Sequence, residues 1–399
     1  MKQHLAEIGK LFRLEGEITK VEQIVVGNIN ATYRVFYENN KSYIFQRVNV
    51  NVFKDPIGVM KNIDKVTTYI REEFPGSLSL HYHHTIHGEN FIIFDGEFWR
   101  VMRDFNSVTL DSCESLEDIE CIGSAFGDFQ RKLAGFDATS LNETIKDFHN
   151  TDKRLNDLFK YADEHGISMP EIEYIRSVRE EASKVSRLYN EGKLPSRPCH
   201  NDTKANNVLL DKETHKPLVV VDLDTIMPGT GLNDFADGAR FICSTAKEDE
   251  QDLTKVDFDL KKFEAFSKGF LSQVKDAWKP IELENIVLSV FAITIELASR
   301  FLLDYISGNT YFKTNYPEHN LVRTRCQLKL AQSILSKMDE MQDIVSNIIK
   351  YHQEGLILPF LPFLDWEAWK ILVGQVKNHS CRDRQINLTF CRISQVGFL

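Results

Sequence analysis

The chain reads as an α+β protein with two lobes, a small antiparallel sheet with one helix and then a larger, mostly helical body. Three observations point there. Alternating and β-branched runs crowd the first hundred or so residues. After about residue 115, apolar residues recur at three- and four-residue steps in several long stretches. Between those stretches lies a loop-rich block, about 196–245, with two short apolar runs. At 399 residues the chain is longer than an ordinary single domain of about 100–200 residues. It can bury roughly three-quarters of its unfolded surface without help from a disulfide or a metal. With 42% hydrophobic and 27% charged residues, disorder, collagen and coiled coil are excluded for the chain as a whole.

Taken in order, VEQIVV is β-branched, Gly27-Asn28-Ile29-Asn30 supplies turn residues, TYRVFY alternates, and ENNK turns the chain into SYIFQRV. A helix is expected at about 56–73. Pro56 stands at its start, and Val59, Ile63, Val66 and Ile70 share one face. ENFIIFD and EFWRVMR read as strands pivoting on Asp95-Gly96. Ser115 then precedes a helix whose stripe is Ile119, Ile122, Phe126, Phe129 and Leu133. NNVLLD and PLVVVDLD are short strands, and 258–275, 284–305 and 321–350 read as three helices. This divides the chain into a lobe at 1–105, a lobe at 106–350 and an extension at 351–399. The extension, with Pro359, Pro362, Trp366 and Trp369 in a short span, has no clear period.

Charge and cysteines narrow the class. Lys and Arg total 48 against 58 Asp and Glu, a net charge of −10. A nucleic-acid or anionic-membrane binder needs a basic face, so neither partner is expected; a nucleotide held in one local cleft remains compatible. Seven widely spaced cysteines without a C-x-x-C pair read as reduced thiols. The amphipathic, charged start MKQHLAEIGKLFRLEG lacks the apolar core of a secretion signal. The run IVLSVFAITIELA is broken by Glu296, short of a membrane span. A cytoplasmic protein is the expectation.

The chemistry concentrates in His200-Asn201-Asp202-Thr203-Lys204-Ala205-Asn206-Asn207, followed by Val219-Val220-Val221-Asp222-Leu223-Asp224. Phosphoryl transfer from a magnesium nucleotide needs a carboxylate to orient and deprotonate the acceptor hydroxyl. It also needs a cation on the γ-phosphate, and an amide oxygen with a carboxylate to hold the metal. Asp202, Lys204, Asn207 and Asp222 are those types in that order. The strands NNVLLD and PLVVVD, joined by KETHK, would bring Asn207 and Asp222 to one end. Polar caps on a hairpin would leave either half of this pattern unremarkable; both halves together, after a sheet-plus-helix lobe, favour the kinase.

On these residues the chain resembles the aminoglycoside phosphotransferase and choline kinase superfamily, whose lobes are those of protein kinases. It looks closest to the N-acetylhexosamine 1-kinases. The stretches carrying the likeness are GNINATY (27–33), YIFQRVN (43–49), GSAFGDFQ (123–130), HNDTKANN (200–207), VDLDTIMPG (221–229), DFADGARF (234–241), RFLLDY (300–305) and YFKTNYPEHNLVRTR (311–325). The resemblance implies a bilobal protein-kinase-like fold and ATP-dependent phosphorylation of the anomeric hydroxyl of N-acetylglucosamine or N-acetylgalactosamine. ATP and Mg2+ would serve as cofactors and a small sugar as partner. Asp202 would be the catalytic base, Lys204 a γ-phosphate contact, and Asn207 and Asp222 the metal ligands. Asn201 and Arg300 would contact the sugar. Loop 27–32, with Asn28, Asn30 and the Thr32 hydroxyl, would cover the phosphates, and Met102 would lie in a hinge at 101–105 meeting the adenine edge.

Three positions depart from the pattern, one of them Asn28, where the N-acetylhexosamine 1-kinases can carry a histidine beside the loop isoleucine. The third-strand lysine is replaced by Gln46 and Arg47, which point to opposite faces of a strand. Only Arg47 carries charge, which makes it the candidate phosphate contact, and the sequence leaves open which of the two faces in. The following helix offers Asn62 and Asp64 instead of a glutamate. That gap motivates an alternative reading as a non-catalytic nucleotide or sugar sensor, which the intact Asp202, Asn207 and Asp222 oppose. Kinases for another sugar, an amino alcohol or an aminoglycoside are the alternatives within the same chemistry. His81, His83, His84 and His87 lack partners at metal-ligand spacing and read as surface residues. Asp234 reads as a helix cap or as a tie to the loop bearing Asp202.

Overall fold

The computed structural model describes residues 1–24, 30–110 and 114–353. Asn28 and the rest of loop 27–29 lie outside the described residues, as does the extension beyond Gln353. One compact unit spans Met1–Lys350.

The sheet begins after a helix that was not anticipated, α1 (Lys2–Leu11). Strands β1 (Ile18–Ile24), β2 (Ala31–Tyr37) and β3 (Ser42–Arg47) follow, then helix α2 (Pro56–Glu73) and strands β4 (Ile92–Phe94) and β5 (Glu97–Arg103). All pairings are antiparallel, in the order β1-β2-β3-β5-β4. Because side chains alternate along a strand, one face carries Tyr33, Val35, Tyr43, Phe45, Trp99 and Val101, buried with Leu5, Ile8 and Phe12 of the α1 region. The opposite face carries Thr32, Gln46 and Arg100, with Gln46 directly across from Thr32 on one side and Arg100 on the other. Helix α2 starts where Asp55 accepts a hydrogen bond from the Gly58 N–H and Pro56 opens the first turn. Its stripe Val59, Ile63, Val66 and Ile70 is buried in the main core, as its spacing predicts.

After the short β6 (Ser107–Val108), the chain turns helical. Helix α3 (Leu116–Lys132) starts at Ser115, whose side chain accepts from the Asp118 N–H. Helices α4 (Thr151–Glu164), α5 (Pro170–Ser177) and α6 (Arg179–Asn190) occupy a stretch in which no element was expected. Strands β7 (Arg197–Cys199), β8 (Val208–Asp211), β9 (Pro217–Val220) and β10 (Met227–Gly229) frame the loop-rich block, with β7 paired to β10 and β8 to β9. Helices α7 (Gly231–Ile242), α8 (Leu260–Val274), α9 (Pro280–Glu284), α10 (Ile286–Ile306), α11 (His319–Ser336) and α12 (Met338–Gln353) complete the body.

Helices α3 and α8 cross at unusually close range. A Cβ added at Gly269 would lie 2.0 Å from the Glu120 carbonyl oxygen, and one at Gly123 would lie 2.3 Å from that of Phe266. The absence of a side chain is what lets these backbones meet. Helix α10 is long and apolar enough to cross a membrane, but 78% of that apolar window is buried inside the protein, so it works as the central core helix. The single helix expected over 321–350 is two helices, broken at Lys337. The Lys337 ammonium there donates to the Phe258 carbonyl and pairs with Asp257.

Candidate active site

The loop after β7 is built from its interior outward. His200 is fully buried. Its Nδ1 accepts from the Asp202 N–H (3.3 Å), so the proton resides on Nε2, which donates to the Val221 carbonyl (2.9 Å). Asn201 takes a left-handed conformation (φ 62°), which swings the next residue into the cleft. Asp234, 1% exposed, accepts from the N–H groups of His200 (2.9 Å) and Asn201 (2.8 Å) and from Gln130 Nε2 (2.7 Å). Of its two expected roles, then, the tie to the loop bearing Asp202 is the one present. Asp237 accepts from the Thr203 N–H (3.0 Å) and holds the same loop further on.

On this frame Asp202 reaches the cleft with its side chain 28% exposed. Lys204 Nζ lies 2.7 Å from Asp202 Oδ1. Burial alone would lower the Lys204 pKa; the charge of Asp202, supported by Asp237 and Glu248, outweighs it and holds the ammonium well above its ordinary value. Asn207 donates its Nδ2 to the Asp202 carbonyl oxygen (2.8 Å), and its own carbonyl accepts the Val221 N–H (2.9 Å). That second bond sets Asp222 beside it, at the end of β9. Asp222 adopts a left-handed conformation (φ 59°) and is open to solvent. Surrounding protein nevertheless desolvates its carboxyl, and together with the charges of Asp224 and Asp202 this pushes its pKa up to about 7, against the pull of Arg100. The structure thus brings Asp202, Lys204, Asn207 and Asp222 close together, with the side chains of Asp202, Lys204 and Asp222 reached by solvent.

These residues fit a hard divalent cation bound together with phosphates, since Mg2+ favours one or two carboxylates plus phosphate oxygens. The Asn207 Nδ2 is committed to Asp202, which leaves its Oδ1 as the donor atom. Asp222 accepts no hydrogen bond among the described residues, and the crowding of its charge is what a cation would relieve.

Among the other expected contacts, Arg47 is placed differently. Arg47 shares the face of Phe45 and Trp99, pairs with Glu97, and is 45% exposed, so it turns away from the cleft. The inward residue is Gln46, whose Nε2 donates to Thr32 Oγ1 (3.1 Å) and whose Oε1 accepts from Arg100 Nε (3.0 Å). Strand register decides this, because Arg47 pairs with Trp99 and Gln46 with Arg100. The hydroxyl proton of Thr32 stays available to a phosphate. The Asn30 side chain is spent on structure: its Nδ2 donates to Asp224 (2.8 Å) and its Oδ1 accepts the Asn49 N–H (3.0 Å). Met102 keeps its backbone within the sheet, opposite Ile44 and bridged to Tyr82. Asn201 donates its amide N–H groups to the Cys199 (3.0 Å) and Thr225 (2.9 Å) carbonyls, leaving only Oδ1 toward a neighbouring cavity of about 90 Å3.

Arg300 lies on α10, 13% exposed, its guanidinium within 5.0 Å of the Phe148 ring centre and 5.6 and 6.0 Å of Phe312 and Tyr311. Its ion pair with Glu296 is long, 3.9 Å, because Glu296 is engaged elsewhere. Oε1 faces His149 Nδ1 (2.9 Å) and Oε2 accepts from Thr151 Oγ1 (2.9 Å). Arg300 donates no hydrogen bond among the described residues.

His149, absent from the expected set, joins this cluster to the loop bearing Asn201 and Asp202. Its Nε2 lies 3.2 Å from the Asn201 carbonyl. Both neighbours can only accept, so a ring protonated on both nitrogens satisfies both. Burial alone would lower the His149 pKa; the Glu296 charge outweighs it and raises the value above the ordinary 6.5. His149 in turn holds the Glu296 carboxyl below its ordinary 4.5 despite burial. The sign of the pH dependence follows. His149 contributes stability that is fully present below about pH 6.5 and lost as pH rises through its raised value. Glu296 contributes stability that is lost as pH falls through its lowered value. Thermal midpoints from pH 5 to 9 are expected to decline above pH 6.5, and His149→Gln should flatten that decline. An equally steep decline in the variant would show that His149 is not its source.

A family model described as "Phosphotransferase enzyme family" matches residues 20–265, more than half of the chain. The fold is also similar to solved structures. A microcompartment-associated aminopropanol kinase superposes with a TM-score of 0.61 at 13% identity, over 85% of this chain and 98% of that one. An ethanolamine kinase of Plasmodium vivax gives 0.52 at 12% identity, over 82% and 86%. A choline kinase of Cryptosporidium parvum gives 0.51 at 12%, over 83% and 93%. At such identities the likeness shows the fold, a bilobal α+β arrangement.

Proposed function

The chain belongs to the phosphotransferase enzyme family, and from that premise we propose that it transfers the γ-phosphate of ATP to the anomeric hydroxyl of an N-acetylhexosamine, N-acetylglucosamine or N-acetylgalactosamine. The observation that carries the phosphotransfer is the convergence of Asp202, Lys204, Asn207 and Asp222 within contact distance of one another. Asp202 orients the acceptor hydroxyl and takes its proton late, as that oxygen bonds to the γ-phosphorus and the bond from phosphorus to the departing ADP oxygen breaks. Lys204 carries positive charge to the same place. Mg2+, held by Asn207 and Asp222, would offset the negative charge between the phosphates.

The resemblance puts Arg300 at the acceptor, and its surroundings fit that role. A guanidinium with uncommitted donors, framed by Phe148, Tyr311 and Phe312, repels an ammonium group and suits a neutral, hydroxyl-rich ring that accepts hydrogen bonds and stacks on aromatic faces. The structural neighbours named for amine substrates therefore serve as the contrast in the test. ADP release is measured with N-acetylglucosamine, N-acetylgalactosamine, choline, ethanolamine, aminopropanol and an aminoglycoside. Turnover with the hexosamines is expected. Turnover confined to the amines would overturn the acceptor assignment and leave phosphotransfer standing.

A further inference from the structure

The third-strand lysine expected to serve the phosphates has no successor on β3, since Gln46 faces in and Arg47 faces out. A cation nonetheless occupies that side of the sheet. Arg100 extends from β5, directly across from Gln46, and is 1% exposed. Its Nη1 and Nη2 donate to the two carboxylate oxygens of Asp224 at 2.5 and 2.9 Å. Its Nε donates to Gln46, and its guanidinium lies 5.2 Å from the Tyr82 ring centre. Asp224 follows Asp222 by two residues, in the turn that gives Asp222 its left-handed backbone. The same carboxylate accepts from Asn30 at the end of the phosphate loop. One buried ion pair therefore joins β5, β3, the start of β2 and the acidic turn.

Helix α2 is tied to the same turn by a neutral group. Asn62, fully buried, donates to the Ile226 (2.9 Å) and Asn142 (2.8 Å) carbonyls and accepts the Asn142 N–H (2.8 Å). The work of a single lysine–glutamate pair is divided here between Arg100–Asp224 and Asn62.

We propose that Arg100, acting through Asp224, is the positioning residue that fixes Asp222 and, through Asn30, the start of β2 for the magnesium nucleotide. Arg100 does not itself touch the phosphates, because its bidentate pair and its Nε bond commit the fork. This inference rests on the phosphotransfer reading, and it predicts a pattern that a purely structural ion pair would not produce. A buried pair exchanged for apolar residues often leaves stability unchanged, so fold and positioning can be separated.

The test is calorimetric binding of the magnesium complex of adenylyl imidodiphosphate, with thermal midpoints and steady-state kinetics, on Arg100→Lys, Arg100→Met and the double variant Arg100→Met/Asp224→Leu. Lysine keeps the charge but loses the fork, so Arg100→Lys should fold and bind the complex several-fold more weakly. The double variant should recover the wild-type thermal midpoint, yet bind the complex at least tenfold more weakly and show a raised KM for ATP and a lowered kcat. Its KM for the acceptor should change less than about twofold. Wild-type nucleotide binding and kcat in the double variant would overturn the proposal. So would an Mg2+ requirement raised by Asp224→Asn but not by either Arg100 substitution, since Asp224 would then be a metal ligand. If the wild type phosphorylates none of the acceptors while the Arg100 variants still weaken binding of the complex, the acceptor reading fails and the positioning role stands.

Discussion

Asp202→Asn should lower kcat at least about a hundredfold, within the 10²–10⁴ range for loss of a general base, while nucleotide binding persists. Asparagine keeps the size of the side chain and an oxygen toward Lys204, 2.7 Å away in the native protein. It loses the ability to take the acceptor proton. Removing a negative charge from a cleft that must receive phosphates also favours the nucleotide, so binding should hold or tighten. That split separates chemistry from folding: a misfolded loop would lose both. The measurement is kcat with the best hexosamine alongside calorimetric binding of the magnesium complex of adenylyl imidodiphosphate. An unchanged kcat would remove Asp202 from the mechanism.

Asp234→Ala should be nearly as damaging, through stability as well as rate. The side chain is 1% exposed and serves three donors, the N–H groups of His200 and Asn201 and the Gln130 amide. Alanine leaves the two backbone N–H groups unpaired where water does not reach, while the Gln130 amide keeps its bond to the Pro198 carbonyl (2.9 Å). Each orphaned buried donor costs about 1–3 kcal/mol, so a loss of about 2 kcal/mol or more is expected in denaturant unfolding. The fraction that remains folded should also turn over at least tenfold more slowly, because the backbone leading into Asp202 has lost its anchor. Asp234→Asn keeps one acceptor but turns an NH2 group toward an N–H, and should fall between wild type and alanine. Wild-type stability in the alanine variant would mean that the loop is held by Asp237 and Thr203 alone.

Legibility followed the distance between interacting residues. Helix α2 matched its expected bounds because both signals are local, a proline at the first turn and an apolar stripe. The Asp95-Gly96 turn was readable for the same reason, and both residues take positive φ, 51° and 77°. Helices α4 to α6 were not seen. Their buried residues, among them Leu155, Leu158, Phe159, Ile172, Ile175 and Val185, are interleaved with charged ones that blur the stripe. The break at Lys337 left only a seven-residue step between Met338 and Val345 as its trace.

In the site, the compact motif 200–207 and the strand ending in Asp222 announced the polar residues near the cleft. Two other contributors depend on pairings made only by the fold. Arg100 and Asp224 lie 124 residues apart, and His149 and Glu296 147 apart. A local hint of the first existed, an arginine inside the strand run EFWRVMR on the same parity as Phe98 and Met102. Strand parity alone could not say whether Gln46 or Arg47 faces the cleft; the pairing of Gln46 with Arg100 does.

The central claim is that Asp202 activates the anomeric hydroxyl of a hexosamine toward the γ-phosphate. Phosphorus NMR of the product made from ATP and N-acetylglucosamine tests it most directly. The account predicts one new phosphomonoester resonance, split by coupling to the anomeric proton. A phosphate coupled to the C6 protons, or no sugar phosphate from any hexosamine under conditions where ADP is released, would contradict it.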